Sequence, residues 1–254
     1  MRKHIPNAIT SCNLLSGVVG LVFAFRGRYD IAFMLMMAAG VFDFFDGLAA
    51  RALRVQSPIG KELDSLADVV SFGVLPAVML SGVTLSAKAP ASPSLTFIIR
   101  LIPLLMAVFC ALRLAKFNLD ERQHASFLGL PCPAAAMVSA SAAAYCFYRP
   151  ESAFAELCGG FWLFPLLAIA LSALMLSEIP FFAFKFGNGS KGEQKAPSNS
   201  AAESLTAMKR TAVLCLGALA IISTAVLGWN WTAAILGTFA AYIIENLIFS
   251  AFRI

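Results

Sequence analysis

The sequence predicts an all-α protein that crosses a membrane about eight times. Of its 254 residues, 59% are hydrophobic and 13% are charged, and the mean hydropathy is +0.80. A soluble domain carries about a quarter charged residues, so this composition excludes a water-soluble globular fold. Several apolar runs also reach the roughly 20 residues that a helix needs to cross a bilayer.

Apolar runs between polar, proline or glycine residues predict the individual helices. These runs lie near residues 8–25, 31–50, 64–84, 96–117, 131–148, 160–182, 211–229 and 233–250. The first six form a predicted core within residues 1–184, and the last two form a hairpin within residues 211–254. A polar linker over residues 185–210 separates them. Because eight is an even number, we expect both termini on the same side.

The distribution of basic residues predicts that side. Fourteen Lys and Arg lie at the two termini and in segments 51–62, 113–124 and 185–210, whereas five lie in the alternate connections. Cytoplasmic connections carry the excess of basic residues, so we expect a multi-pass protein of the cell membrane with cytoplasmic termini. The linker offers basic residues to anionic lipid headgroups, although a solvated connector explains the same composition.

Four aspartates lie at the ends of the second and third predicted helices. Asp43 and Asp46 are three residues apart, and Asp64 and Asp68 are four residues apart. Each spacing puts two side chains on one helix face, and a short connection joins the helices. Since ionisable residues in membrane spans are costly, we expect these aspartates to form a functional site at one depth.

Four converging carboxylates repel one another unless a cation lies among them. Oxygen ligands suit hard divalent ions, so the cluster predicts Mg²⁺ or Mn²⁺, and four negative charges balance two such ions. The alternative is a set of structural salt bridges with Arg51, Arg54 and Lys61, but three bases do not neutralise four acids.

Small and basic residues beside the aspartates favour a phosphorylated ligand. Gly47 and Ala50 fall on the aspartate face of the second helix and let a ligand approach the backbone. Arg51 offers a planar guanidinium for bidentate phosphate contact. Gly60 frees the connection to turn into the third helix, whose N-terminal end favours an anion.

Taken in register, these residues form one pattern: Asp43-x2-Asp46-Gly47-x2-Ala50-Arg51-x8-Gly60-x3-Asp64-x3-Asp68. It resembles the signature of the CDP-alcohol phosphatidyltransferase family at all eight positions. The resemblance implies a homodimer and a two-metal site formed by the aspartates, with Asp68 as general base. It also implies that the glycine, alanine and arginine positions hold the cytidine diphosphate group. Asn7 and Thr10 are expected near the nucleotide, or alternatively cap the first helix.

Longer stretches resemble the branch of this family that uses serine as the acceptor. They are residues 5–18, 64–77, 111–119 and 127–136, and the whole resemblance covers roughly residues 5–180. At one position the chain has Lys116 where that branch usually has Arg. The resemblance implies transfer of a phosphatidyl group from CDP-diacylglycerol to L-serine, with membrane lipid around the protein and no nucleic-acid partner.

A serine site needs a cation for the carboxylate and room for a small hydroxyl near Asp68. The candidates are Arg113, Lys116 and Asn118, at the end of the fourth predicted helix, and Ser71, one turn beyond Asp68. Ordinary anchoring at the cytoplasmic surface explains the two basic residues equally well.

The sequence leaves two alternative functions. A sister enzyme that uses glycerol 3-phosphate or inositol phosphate would need additional basic residues for the acceptor phosphate. A cation transporter would have acids near mid-membrane and polar residues along several helices, whereas these acids cluster at one end of two helices.

Overall fold

The computed structural model describes residues 4–55, 57–86, 92–119, 127–158, 161–181 and 231–251. Helices form almost all of this part of the chain. The α-helices are α1 (His4–Phe25), α2 (Tyr29–Ala52), α3 (Pro58–Asp68), α4 (Leu75–Ser86), α5 (Pro93–Leu101), α6 (Leu105–Leu119), α7 (Cys132–Tyr148), α8 (Ala153–Cys158), α9 (Leu163–Leu176) and α10 (Trp231–Ala251). A π-helical turn (Val69–Val74) joins α3 to α4, and a 3-10 turn (Ile102–Leu104) joins α5 to α6.

Among the described residues, five helical stretches are long and apolar enough to cross a membrane. They are His4–Phe25, Tyr29–Ala52, Pro58–Leu85, Pro93–Leu119 and Trp231–Ile248, and two shorter apolar helices are Cys132–Tyr148 and Leu163–Leu176. The prediction of a helical, multi-pass membrane protein is therefore confirmed. The predicted linker 185–210 and span 211–229 lie outside the described residues. The total of eight membrane spans and the cytoplasmic location of the termini therefore stay predictions.

The sixth predicted span is shorter than the sequence suggested. We predicted a helix over 160–182, but α9 ends at Leu176, and Ser177 is extended. Strand β2 (Pro180–Phe181) then pairs antiparallel with β1 (Phe127–Leu128). Helix α9 ends there because its last turn is hydrogen-bonded to the segment that enters α7. The Leu130 N–H donates to the Leu174 carbonyl (2.9 Å), and Gly129 adopts a φ of +78°.

Helix α7 lies at the centre of the bundle and contacts α2, α4, α9 and α10. Its middle is nearly all alanine and serine, and most residues between Ala134 and Ala144 are buried. Small side chains let neighbouring helices approach closely in a membrane protein. The buried Ser139 hydroxyl bonds only to carbonyls of its own helix, at Ala135 (2.7 Å) and Ala136 (3.1 Å).

A tight connection turns the chain from α2 into α3. The Val55 N–H donates to the Ala50 carbonyl (3.0 Å), and Arg54 adopts a left-handed φ of +51°. Helix α3 then begins with Ser57 as N-cap, whose hydroxyl accepts from the Gly60 N–H (3.4 Å). This reversal brings the first turns of α3 beside the last turns of α2.

Candidate active site

Three of the predicted aspartates come together between α2 and α3. Asp43, Asp64 and Asp68 each offer a carboxylate oxygen, and these three oxygens lie within 4.8 Å of one another. All three side chains are half-buried. The shared helix faces expected from the sequence therefore do converge.

The cluster fits a divalent cation better than a structural salt bridge. One oxygen of Asp64, Oδ1, is buried and has no hydrogen-bond partner in the structure. Within the described ranges, no Lys or Arg forms an ion pair with the three aspartates; the ion pair found there joins Arg28 to Asp30. Carboxylate oxygens that face one another without a base are a donor set suited to Mg²⁺ or Mn²⁺.

The predicted salt-bridge partners have other contacts. Arg51 Nε donates to the Gly47 carbonyl (3.0 Å), and Lys61 Nζ donates to the Asn118 carbonyl (3.4 Å). Both side chains are exposed, as is Arg54. The salt-bridge alternative is therefore wrong for the three clustered aspartates.

The fourth aspartate, Asp46, lies one helical turn further along α2. It is buried and accepts a hydrogen bond of 2.6 Å at Oδ2 from the Thr10 hydroxyl on α1. It lies three residues after Asp43 on α2, so these two side chains share one helix face. Thr10 lies well inside α1, which already includes His4, so capping does not explain Thr10.

The positions expected to hold the nucleotide lie around this cluster. At Gly47 an added Cβ would meet open space, with an Arg51 nitrogen 4.0 Å away as its nearest neighbour. Gly60 lies inside the first turn of α3, so the prediction that it frees the connection to turn is wrong. A Cβ at Gly60 would come within 2.9 Å of the Asn7 Oδ1, so this glycine permits the close approach of α1. Ala50 is half-buried on α2.

Sequence reasoning missed Asn13, the residue that contacts Asp68. Asn13 is fully buried on α1, and its Nδ2 donates to Asp68 Oδ1 over 3.3 Å. Its amide also accepts a 2.8 Å hydrogen bond at Oδ1 from Ser71, which is likewise fully buried. A polar residue in an apolar run was the available signal for Asn13, but the aspartate pattern does not include α1.

The four serine candidates lie in different surroundings. Arg113 is buried on α6 with 7% exposure; its Nη1 donates to the Cys132 sulfur (3.7 Å), and its Nε has no hydrogen-bond partner. Lys116 is exposed. Asn118 donates its amide to the Ser65 hydroxyl (2.9 Å). Surface anchoring therefore remains an explanation for Lys116 but not for Arg113.

Comparison with known families agrees with this geometry. The family model described as CDP-alcohol phosphatidyltransferase matches residues 3–186. The chain belongs to the CDP-alcohol phosphatidyltransferase family. The matched region contains both aspartate helices and α6, whereas α10 lies outside it.

Three relatives are similar to this chain over at least half of its length. A CDP-diacylglycerol–serine O-phosphatidyltransferase of Bacillus subtilis is 34% identical over 183 residues, which is 72% of this chain and 92% of that protein. The Mycobacterium tuberculosis protein of the same name is 38% identical over 140 residues, 52% of this chain and 46% of the relative. The archaetidylserine synthase of Methanothermobacter thermautotrophicus is 32% identical over 179 residues, 70% and 69% of the two chains. The expected resemblance to serine-using members of the CDP-alcohol phosphatidyltransferase family is confirmed.

Proposed function

We propose that this protein transfers the phosphatidyl group of CDP-diacylglycerol to the hydroxyl of L-serine, giving phosphatidylserine and CMP. The observation that carries the proposal is the cluster of Asp43, Asp64 and Asp68, with its unpartnered buried oxygen on Asp64. The names of the relatives support serine as the acceptor. A phosphorylated acceptor would call for more buried bases than the single buried arginine described near α7.

The four aspartates Asp43, Asp46, Asp64 and Asp68 would hold the metal, and their four negative charges support two divalent ions, Mg²⁺ or Mn²⁺. When bound, such ions neutralise charge on the diphosphate and stabilise CMP as it leaves. The Thr10 hydroxyl fixes Asp46 from the side of α1. The protein thus contributes a half-buried acidic cluster between α2 and α3.

The cytidine diphosphate group would lie along the α2–α3 connection. Gly47 borders open space, and the Arg51 guanidinium uses one nitrogen on the α2 backbone, which leaves its two terminal nitrogens for phosphate oxygens. Ala50 keeps the surface of α2 low beside the ligand, and Gly60 lets the Asn7 side chain of α1 approach α3 at the edge of this site. Asn7 and Thr10 would form the α1 side of this nucleotide site.

Asp68 would act as general base. As the serine oxygen forms its bond to the β-phosphorus, the phosphorus–oxygen bond to CMP breaks and the serine hydroxyl proton passes to the Asp68 carboxylate. Asn13 occupies Oδ1 of that carboxylate, so Oδ2 is the proposed proton acceptor.

Arg113 is the best-supported candidate for the serine carboxylate. It is buried, and its Nε has no hydrogen-bond partner among the residues that the structure describes. Its Nη1 lies 3.7 Å from the Cys132 sulfur, and α6 packs against the turn that follows Asp68, since a Cβ at Gly73 would come within 3.1 Å of the Cys110 Cβ. Ser71, Lys116 and Asn118 have less support, because two of them are hydrogen-bonded within the protein and one is exposed.

We further propose the cell membrane as the location, a site facing the cytoplasm and a homodimer. A lipid-borne electrophile and a water-borne nucleophile can meet where the aspartates lie, within the last three turns of α2 and the three turns of α3. Residues 1–184 would form the catalytic core, with 185–210 as linker and 211–254 as a terminal hairpin.

The deciding experiment is CMP release from CDP-diacylglycerol by the purified protein in detergent with Mg²⁺ or Mn²⁺. Serine, glycerol 3-phosphate, inositol phosphate and no acceptor are compared. We expect release with serine alone. Release with another acceptor would keep the family chemistry and refute the serine assignment, and release with none would refute the proposed function.

A further inference from the structure

A buried polar chain joins α1 to the turn that follows Asp68. The Ser71 hydroxyl donates to Asn13 Oδ1 (2.8 Å), and Asn13 Nδ2 donates to Asp68 Oδ1 (3.3 Å). Asn13 and Ser71 both have no exposed surface. Neither residue belongs to the eight-position pattern of the family.

The chemistry of Asp68 and Ser71 fixes the direction of these hydrogen bonds. An ionised carboxylate only accepts hydrogen bonds, so Asn13 must turn its NH₂ group toward Asp68. The amide oxygen then points at Ser71, whose hydroxyl supplies the proton. Without that hydroxyl, the amide oxygen would be buried without its donor, and such a group costs free energy.

Packing leaves little freedom for this arrangement. A Cβ at Gly17 would collide with the Ser71 Oγ, so α1 and the turn after Asp68 are in close contact. That turn, Val69–Val74, is π-helical and begins at the residue after Asp68. π-helical turns are rare and occur frequently at functional sites. The Asn13–Ser71 bond therefore ties an unusual backbone segment to α1 directly beside the proposed base.

We propose that Asn13 is a positioning residue for Asp68, and that Ser71 acts through Asn13 by holding its amide. The inference rests on the proposed function, in which Asp68 accepts the serine proton. Ser71 then supports the general base Asp68 and is no longer proposed to contact the substrate serine.

The test compares kcat and KM for CMP release by the full chain and four variants. We expect Asn13→Ala to lower kcat about 30-fold and Ser71→Ala about 5-fold, since small displacements of a catalytic group cost up to about 100-fold. KM for CDP-diacylglycerol should stay within about twofold, because neither residue lies in the proposed nucleotide site. The double variant should match Asn13→Ala and not the product of the two effects.

Ser139→Ala is the matched control, because it removes an equally buried hydroxyl that bonds only to its own helix. It should keep kcat within about twofold of the wild type. The inference is overturned if Ser71→Ala behaves like Ser139→Ala, or if the effects of the two single variants multiply. If Asn13→Ala does not fold, the comparison of Ser71→Ala with Ser139→Ala decides alone. An inactive wild type would instead refute the proposed function, and this inference with it.

Discussion

Thr10 and Asp46 join α1 to α2 through a 2.6 Å hydrogen bond between the Thr10 hydroxyl and Asp46 Oδ2. Asp46 is buried, with 6% exposure, so the Thr10 hydroxyl replaces part of the water that an exposed carboxylate would bind. The hydroxyl also lies 3.0 Å from the Pro6 carbonyl, within its own helix. Thr10 thus orients the aspartate that lies outside the cluster of three.

Thr10→Val should therefore impair the site while preserving side-chain shape. Loss of a residue that orients a metal ligand costs about 10- to 100-fold in metal affinity or activity. We expect both Mn²⁺ affinity and activity to fall about tenfold. Mn²⁺ titration of the detergent-solubilised protein, followed by electron paramagnetic resonance and by CMP release, measures both quantities. The control is Thr84→Val on α4, because the buried Thr84 hydroxyl bonds only to its own helix at Leu80 (2.8 Å). Equal Mn²⁺ affinity in the two variants would contradict this role for Thr10.

The sequence predicted the convergence of the aspartates because helical periodicity and one short connection determine it. Spacings of three and four residues put each pair on one face, and the reversal at Arg54 and Pro58 brings the faces together. The contribution of α1 was only partly predictable. Thr10 was expected on the grounds of resemblance, whereas the contact of Asn13 depends on how α1 packs beside α3.

Two other features depend on packing that no local pattern encodes. The sequence predicts Gly60 as a residue of the connection, whereas in the structure the absence of a side chain at Gly60 leaves space for Asn7. The position of Arg113 at the end of an apolar run is typical of a basic residue at the membrane surface. In the structure, the packed helices bury Arg113 beside Cys132. Such contacts join residues far apart in the chain, and neither hydropathy nor spacing reports them.

Asp68→Asn should abolish turnover, because the amide cannot take the serine proton. General base catalysis contributes about 100- to 10,000-fold, so we expect a loss of at least about 100-fold in kcat. The variant should still fold and bind CDP-diacylglycerol, measured by thermal unfolding and by a lipid-binding assay in detergent. Asp30→Asn on α2 is the control, since Asp30 pairs with Arg28 outside the cluster. A rate for Asp68→Asn near that of the wild type would refute the base assignment.

Asp43→Ala should weaken metal binding and activity together. It removes one of three oxygens that lie within 4.8 Å of one another, so a cation held there loses a ligand and a negative charge. Mn²⁺ binding to the substrate-free protein, followed by electron paramagnetic resonance, should show at least a tenfold weaker affinity, since loss of a residue that only orients a ligand already costs about 10- to 100-fold. An Asp30→Ala control should leave the titration unchanged, and an unchanged titration for Asp43→Ala would argue against ligation.

Arg113→Gln should raise KM for serine and leave KM for CDP-diacylglycerol nearly unchanged. A charge-assisted bond to a carboxylate is worth about 1.5–3 kcal/mol, which corresponds to roughly a 10- to 150-fold weaker acceptor interaction. Initial rates of CMP release at varied serine concentration measure the change. The matched control is Arg149→Gln, since Arg149 is exposed at the far end of α7. Equal KM values for serine in both variants would remove Arg113 from the acceptor site.

Gly17→Ala should destabilise the protein, because the new methyl group would occupy the space of the Ser71 hydroxyl. Ser71 cannot move away without breaking its bond to Asn13, so α1 must shift from the turn after Asp68. Overpacking of this kind costs about 1–3 kcal/mol, and the unfolding temperature in detergent should fall accordingly. Gly237→Ala on α10 is the matched control, since a Cβ there has nothing within 4 Å. Alanine favours a helix over glycine by up to about 1 kcal/mol, so the control should unfold at the wild-type temperature or slightly above it. If both variants unfold together, the close contact between α1 and Ser71 does not stabilise the fold.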